Sequence, residues 1–499
     1  MLGELVPASA VAAPPTLGRR SLAIVAQVVA VGIGTVLLLL RIPGLPSWDT
    51  IYGEDYWQFL VQALQQPWHV FIAYNGYEQL VPRVLAQFAL YLPLAQASRL
   101  FAVCGALIAV GCGLFVFHAS AGHIRSVLLR ALLGAAVVLL PSAPMEIADS
   151  SVNTPWYLLL ALFWALLWRP RTRKGMAAAA LVAFATVASN SLAILFVPLV
   201  AARLYVLRQP REHAVTAGWL AGCMVQLPFI LSGLISGHSR LAGRPAPPGV
   251  SLAYYAHEVV LPSLGWHLAW WLQSLAGRNG ATVIVAAVLA VILGAILVVQ
   301  ARIRPFVVTA VATGFVFPVF GTTLIAHIAT TPVSPDYEAG ARYTALPIFL
   351  IEAAVIVGVD YAMRRRAGGH HRPGIALRPA LAVTALVAVL AASWVADFRY
   401  SGIRSEKAWN WGQIAAKWQR DCAHSRSGKI VEKVVVFQTL PCDRIGPVAE
   451  RTRAAVLTDV GDVNDCGTEL CAGQYGQAGT GSWRARWELT ESRMGNSGS

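Results

Sequence analysis

Three carboxylates, Asp49, Glu54 and Asp55, crowd into residues 49–55 together with Tyr52, and no Lys or Arg follows until Arg83. A carboxylate held beside an acceptor hydroxyl can take its proton in the transition state, a contribution of about 10² to 10⁴ in rate. The plainer reading is a solvated acidic loop. What favours chemistry is the company: Trp57 and His69 follow, and Tyr74-Asn75-Gly76-Tyr77-Glu78 adds amide, phenol and carboxylate groups. That mixture suits sugar hydroxyls and stacking on a sugar ring, although Asn75-Gly76 is also an ordinary reversal.

Arg342 and Tyr343 stand where a loop containing Asp336 and Glu338 enters a late apolar run. A guanidinium at a membrane surface can grip a lipid phosphate with two parallel donors; an interfacial anchor is the alternative. Asn153 and Trp156 open another run just after Glu146 and Asp149, as cavity lining or as anchors. The histidines lack metal-ligand spacing, and neither GxxxxGK[ST] nor GxSxG occurs, so nucleotide hydrolysis and serine-hydrolase chemistry have no support.

The elements that must position these groups are membrane helices. The chain has 499 residues, 56% hydrophobic and only 13% charged, with a mean hydropathy of +0.58. It repeats apolar blocks close to the roughly 17 to 25 residues that cross a bilayer. Spans are expected near 21–40, 98–118, 127–143, 153–168, 174–189, 191–207, 214–235, 281–300, 305–327, 343–362 and 379–397, about eleven in all. The shorter stretch 81–95 is expected in the interface or as an angled extension of the second span. The first run, preceded by Arg19 and Arg20, is too long for a signal-peptide core and reads as an uncleaved span with the N-terminus inside.

The net charge of +14 does not point to nucleic acid, because the basic residues sit in short clusters between apolar blocks. Arg169 to Lys174, Arg208 with Arg211, Arg302 with Arg304, and Arg364 to Arg366 each follow an even number of crossings. They therefore belong on the cytoplasmic side, and loops 43–80, 144–152, 236–280 and 328–342 face outward. Residues 252–277, with Tyr254, Tyr255, His257, Glu258, Trp266, His267, Trp270 and Trp271, read as an external helix on the membrane rather than another span.

The expected fold is thus mainly α: a polytopic transmembrane bundle over 1–398 and a small extracytoplasmic α+β or β domain over 399–499. The latter should hold a helix at 406–420 and β runs at Glu432 to Gln438 and Gly481 to Leu489. Its Cys422, Cys442, Cys466 and Cys471 read as two disulfides on an oxidising face, with three pairings open.

The chain resembles the GT-C superfamily of polytopic glycosyltransferases, in particular bacterial cell-envelope arabinosyltransferases and mannosyltransferases. The resemblance rests on Gly53-Glu54-Asp55-Tyr56-Trp57, on Tyr74 to Arg83, and on Ala341-Arg342-Tyr343-Thr-Ala-Leu-Pro347. It implies a bacterial plasma-membrane enzyme that takes a sugar from a polyprenyl-phosphate donor and passes it, with inversion, to an envelope glycan or lipid acceptor. It also implies Asp55 as leading general base with Glu54 and Asp49 beside it, and Arg342, Tyr343 and Arg83 on the donor phosphate. Trp57, His69, Asn75, Tyr77, Glu78, Asn153, Trp156, Asp336 and Glu338 become candidate substrate contacts. Three nearby carboxylates admit a divalent metal, but their spacing does not establish one. The rival readings are a polysaccharide polymerase or ligase, a transporter of a lipid-linked glycan, and a non-catalytic envelope scaffold.

Overall fold

A computed structural model describes residues 17–74, 76–140, 147–236, 248–300, 341–367, 377–399, 409–433 and 437–445. The chain divides into two compact units, Met1–Val448 and Ala449–Ser499, and the described residues all belong to the first. They are mainly helical: α1 (Leu17–Leu39), α2 (Val61–Gln65), α3 (Leu80–Ala89), α4 (Ala97–Ala119), α5 (Val127–Leu139), α6 (Thr154–Leu167), α7 (Arg173–Ser189), α8 (Val197–Val206) and α9 (Ala214–Ile235) come first. They are followed by α10 (Pro248–Tyr255), α11 (Trp266–Gln300), α12 (Ala341–Ala367), α13 (Leu377–Ala396) and α14 (Trp411–His424).

Among the described residues, five helices are long and apolar enough to cross a membrane: Ser21–Leu39, Leu94–Gly122, Ala214–Ile235, Trp266–Ala290 and Arg342–Tyr361. The expected crossings at 127–143, 153–168, 191–207 and 379–397 fall on shorter apolar helices. The crossing expected at 305–327 lies outside the described residues, as do Asn75, Glu146, Asp336, Glu338, Cys466 and Cys471. The external helix expected at 252–277 is broken into α10, a wide π-helical turn (Ala256–Val260), a tight 3-10 turn (Leu261–Leu264) and the start of α11. Gly277, with φ 69°, kinks α11 between its Trp-rich first part and its apolar second part.

Every residue of α6 is buried, which makes this uncharged helix the axis of the bundle, against which α4 and α7 pack. The α7–α9 contact is closer still. At Gly218 a Cβ would stand 2.2 Å from Ala180 O, and at Gly222 2.5 Å from the Val187 Cβ. Small residues four apart let two helix backbones approach where burial from water offers no driving force.

Buried charges fasten the helix ends. Arg41, just past α1, donates to Val138 O (2.9 Å), Leu139 O (3.1 Å) and Leu140 O (2.7 Å), carbonyls that the end of α5 leaves without helical partners. Arg203 serves α6 in the same way through Leu166 O and Trp168 O. Asp360 accepts from the Arg125 and Ser126 N–H groups before α5, and Asp397 from those of Trp266 and His267 at the start of α11. Arg41 also donates to Phe398 O. One end of the bundle therefore gathers the chain around 41, 140 and 398, and the other the chain around 125 and 360.

The segment after α13 is built onto that first end. Strand β1 (Thr50–Ile51) pairs antiparallel with β2 (Trp409–Asn410), and a hairpin joins β3 (Lys429–Lys433) to β4 (Phe437–Pro441). Helix α14 begins later than the expected 406–420, because the Asn410 side chain caps it by accepting from Gln413 N–H at 3.1 Å, and it runs on to His424. Cys422 and Cys442 form a disulfide with Cα atoms 5.3 Å apart. The described part of the expected 399–499 domain thus packs with the helices in one compact unit, and the division falls after Val448. Mass mapping under non-reducing conditions should recover a Cys422–Cys442 crosslink and leave Cys466 and Cys471 to each other. Four free thiols would contradict both the bond and an oxidising location.

Candidate functional site

The acidic loop turns into a helix through a π-helical turn, Asp55–Leu60, a local widening that recurs at functional sites. Asp55 is buried at its start. Its Oδ2 accepts from Ser150 Oγ (2.9 Å) and Ser151 N–H (2.9 Å), and its Oδ1 accepts from Val152 N–H (2.8 Å) and Ser151 Oγ. Four donors converge on one carboxylate. It ties the acidic loop to the loop before α6, which Ser47 also holds by donating to Asp149 Oδ2 at 2.7 Å.

Glu54 is placed differently. Its Oε1 lies 3.5 Å from Arg342 Nη2, and both side chains keep some exposure, 15% and 18%. Tyr343, next to Arg342, packs edge-on against Trp156 with ring centroids 4.9 Å apart. Asn153 is buried behind them and donates weakly to Ser150 Oγ at 3.4 Å. Glu54, Asp55, Asn153, Trp156, Arg342 and Tyr343, drawn from three segments far apart in sequence, therefore form one cluster. Two carboxylates side by side have separate tasks there. Asp55 is occupied in holding the loops, and Glu54 is the carboxylate left with access.

The other expected site residues lie elsewhere. Asp49 pairs at 3.9 Å with exposed Arg99, a surface contact of small consequence. His69 is exposed, with Nδ1 near Pro67 O. Tyr74 and Tyr77 bridge across a tight reversal in which Gly76 takes φ 83°, and Tyr77 accepts from Gln79 Nε2. Trp57 packs at the edge of the core formed by Tyr56 and Phe59.

Glu78 and Arg83 form a buried ion pair at 3.2 Å, 0% and 3% exposed. Arg83 also donates to Gln62 Oε1 (2.7 Å) and sits over the Phe59 ring. The Glu78 backbone exchanges two hydrogen bonds with the Gln226 amide. Arg83 is thus committed inside this second cluster, on the Phe59 side of the π-turn, rather than beside Arg342.

Burial pushes the Glu78 carboxyl up to about 8 from its ordinary 4.5, with Arg83 opposing. Between those values the folded protein binds more proton than the unfolded chain, so the stability this group contributes is complete in mild acid and is lost as pH rises through 8. The thermal midpoint should therefore fall from about pH 5 to about pH 9, and Glu78→Gln should flatten that slope. A variant with the wild-type slope would remove Glu78 as its source.

Among the described residues no group of three or more His, Cys, Asp or Glu is arranged to hold a metal ion. The three acidic-loop carboxylates do not fit one, since each faces a different partner. The sequence reading missed Ser150, Ser151 and the amide of Val152; the only signal was a hydroxyl pair after Asp149. Comparison with family models, curated proteins and solved structures gives no match for this chain.

Proposed function

We propose that this protein is a multi-pass glycosyltransferase of the bacterial plasma membrane, moving a sugar from a polyprenyl-phosphate donor to an envelope glycan or lipid acceptor on the outer face. The arrangement assumed is about eleven spans, a cytoplasmic N-terminus and an outward acidic loop. The observation that carries the reading is the pairing of Glu54 with Arg342 where the acidic loop meets the first turns of α6 and α12 beside Trp156 and Tyr343. A proton acceptor, a cation suited to phosphate and aromatic faces suited to a sugar or lipid share one place at a helix-bundle end.

In this reading the acceptor hydroxyl attacks the anomeric carbon and gives its proton to the Glu54 carboxylate. The bond from that carbon to the phosphate oxygen breaks, and its electron pair leaves with the polyprenyl phosphate, whose charge Arg342 stabilises. Attack opposite the leaving group puts the sugar between base and cation, so Glu54 must part from Arg342 when donor binds. Asp55 keeps the 150–153 loop in place and takes no proton.

Donor binding tests the cation. Arg342→Lys keeps the charge but loses the planar fork, so the affinity for polyprenyl phosphate should fall about tenfold or more with the fold intact. Unchanged affinity in Arg342→Ala would make this residue an anchor and leave the phosphate without its partner.

One observation favours transport of a lipid-linked glycan instead. Glu352, inside α12, is 5% exposed, and among the described residues its Oε2 meets no hydrogen-bond donor. A carboxyl group within a span commonly marks an ion or proton path.

A further inference from the structure

Residues 409–445 grip the acidic loop at three points. At its start β2 pairs with β1, Thr50 opposite Asn410 and Ile51 opposite Trp409. In the middle, the Tyr56 ring lies 5.6 Å from Trp411 and 5.4 Å from Trp418, and the two tryptophans pack edge-on against each other at 5.6 Å. All three rings are buried, and Trp411 Nε1 donates to Leu94 O at 2.7 Å. At the far end Gln65 Nε2 donates to Thr439 O (2.8 Å), and Arg444 Nη1 donates to Leu64 O (2.8 Å) and Gln65 O (3.2 Å).

Glu54 and Asp55 fall between the first and second grips, and Tyr56 directly follows Asp55. The Cys422–Cys442 disulfide joins the end of α14, which carries the tryptophans, to the end of β4, which leads into Arg444. Two of the three grips are therefore linked covalently. A crosslink of this kind limits how far the joined parts can separate when the contacts open.

We propose that Tyr56, Trp411 and Trp418 are positioning residues for Glu54, and that the Cys422–Cys442 bond keeps this brace closed, so that the acidic loop is ordered only under oxidising conditions. The catalytic role of Glu54 rests on the function proposed above; the brace does not. If Glu54 is held from behind, loosening the brace slows the chemical step and leaves the affinity for polyprenyl phosphate, set by Arg342, in place.

The test is hydrogen–deuterium exchange on the full chain in lipid nanodiscs, read over residues 50–65 with α6 and α7 as internal controls. Reduced protein, a Cys422→Ser/Cys442→Ser variant and Trp418→Ala should each exchange about tenfold faster over 50–65 than oxidised wild type. The controls should not change, and Trp418→Phe should restore protection. In transfer assays the same variants should lose kcat while binding polyprenyl phosphate normally. Unchanged exchange over 50–65 in both the reduced protein and Trp418→Ala would overturn the brace, and wild-type kcat in variants that do exchange faster would overturn its positioning of Glu54. Exchange is read without substrate, so its outcome is separate from whether the protein transfers sugar.

Discussion

Glu54→Gln should lower the turnover of sugar transfer by about a hundredfold or more, the loss expected when a general base is removed, and should leave donor binding intact or tighter. Glutamine preserves the length and shape of the side chain but cannot take the acceptor proton. It also removes the negative charge that Arg342 faces at 3.5 Å, so a donor phosphate would no longer compete with a carboxylate for the guanidinium. The signature is a split between kcat and affinity. Near-normal kcat would exclude Glu54 as the base, and a loss of donor binding in step with kcat would make it a structural partner of Arg342.

Asp55→Asn should act mainly on the fold. Two oxygens of Asp55 receive four donors, and an amide offers one oxygen and an NH2 group that points its own hydrogens at the remaining donors. One backbone N–H and one hydroxyl then lose their acceptor, at a cost of about 2 to 4 kcal/mol. The thermal midpoint should fall, exchange should rise over 147–153, and Ser151→Ala should reproduce part of both effects. An Asp55→Asn protein with wild-type stability and exchange but no turnover would reverse the roles and make Asp55 the base.

The difference between these neighbours was not legible in the sequence. Glu54 and Asp55 are adjacent carboxylates in one acidic run, and what separates them is which donors each meets. Those donors come from residues 150–152, whose relevance depends on how α6 packs. The apolar blocks were legible because bilayer thickness writes itself into their length, so α1, α4, α9 and α12 fall where hydropathy places them. The stretch before Gly277 was legible only as helix: the apolar helix long enough to cross starts at Trp266 and runs to Ala290, overlapping the part expected to lie outside.

Burial in the middle of the chain was not legible. Arg41 and Arg203 look like ordinary topogenic charges until their guanidinium groups are seen on helix-end carbonyls. Glu352 is one acidic residue inside an apolar run. The grip of residues 409–445 on the acidic loop joins segments more than three hundred residues apart, and a two-residue strand such as β2 carries no sequence pattern of its own. Arg83 was linked to the donor phosphate by the family resemblance of the stretch Tyr74 to Arg83. Its burial with Glu78, Gln62 and Phe59 commits it elsewhere.

The most direct measurement places the wild-type chain in proteoliposomes with radiolabelled polyprenyl-phosphate arabinose or mannose and an envelope glycan extract on the outer side, and follows both covalent transfer and movement of the intact lipid across the bilayer. Sugar transfer by this protein would give labelled glycan, free polyprenyl phosphate in equal amount, and loss of both with Glu54→Gln. Movement of the intact lipid without transfer, abolished by Glu352→Gln and indifferent to Glu54→Gln, would contradict it.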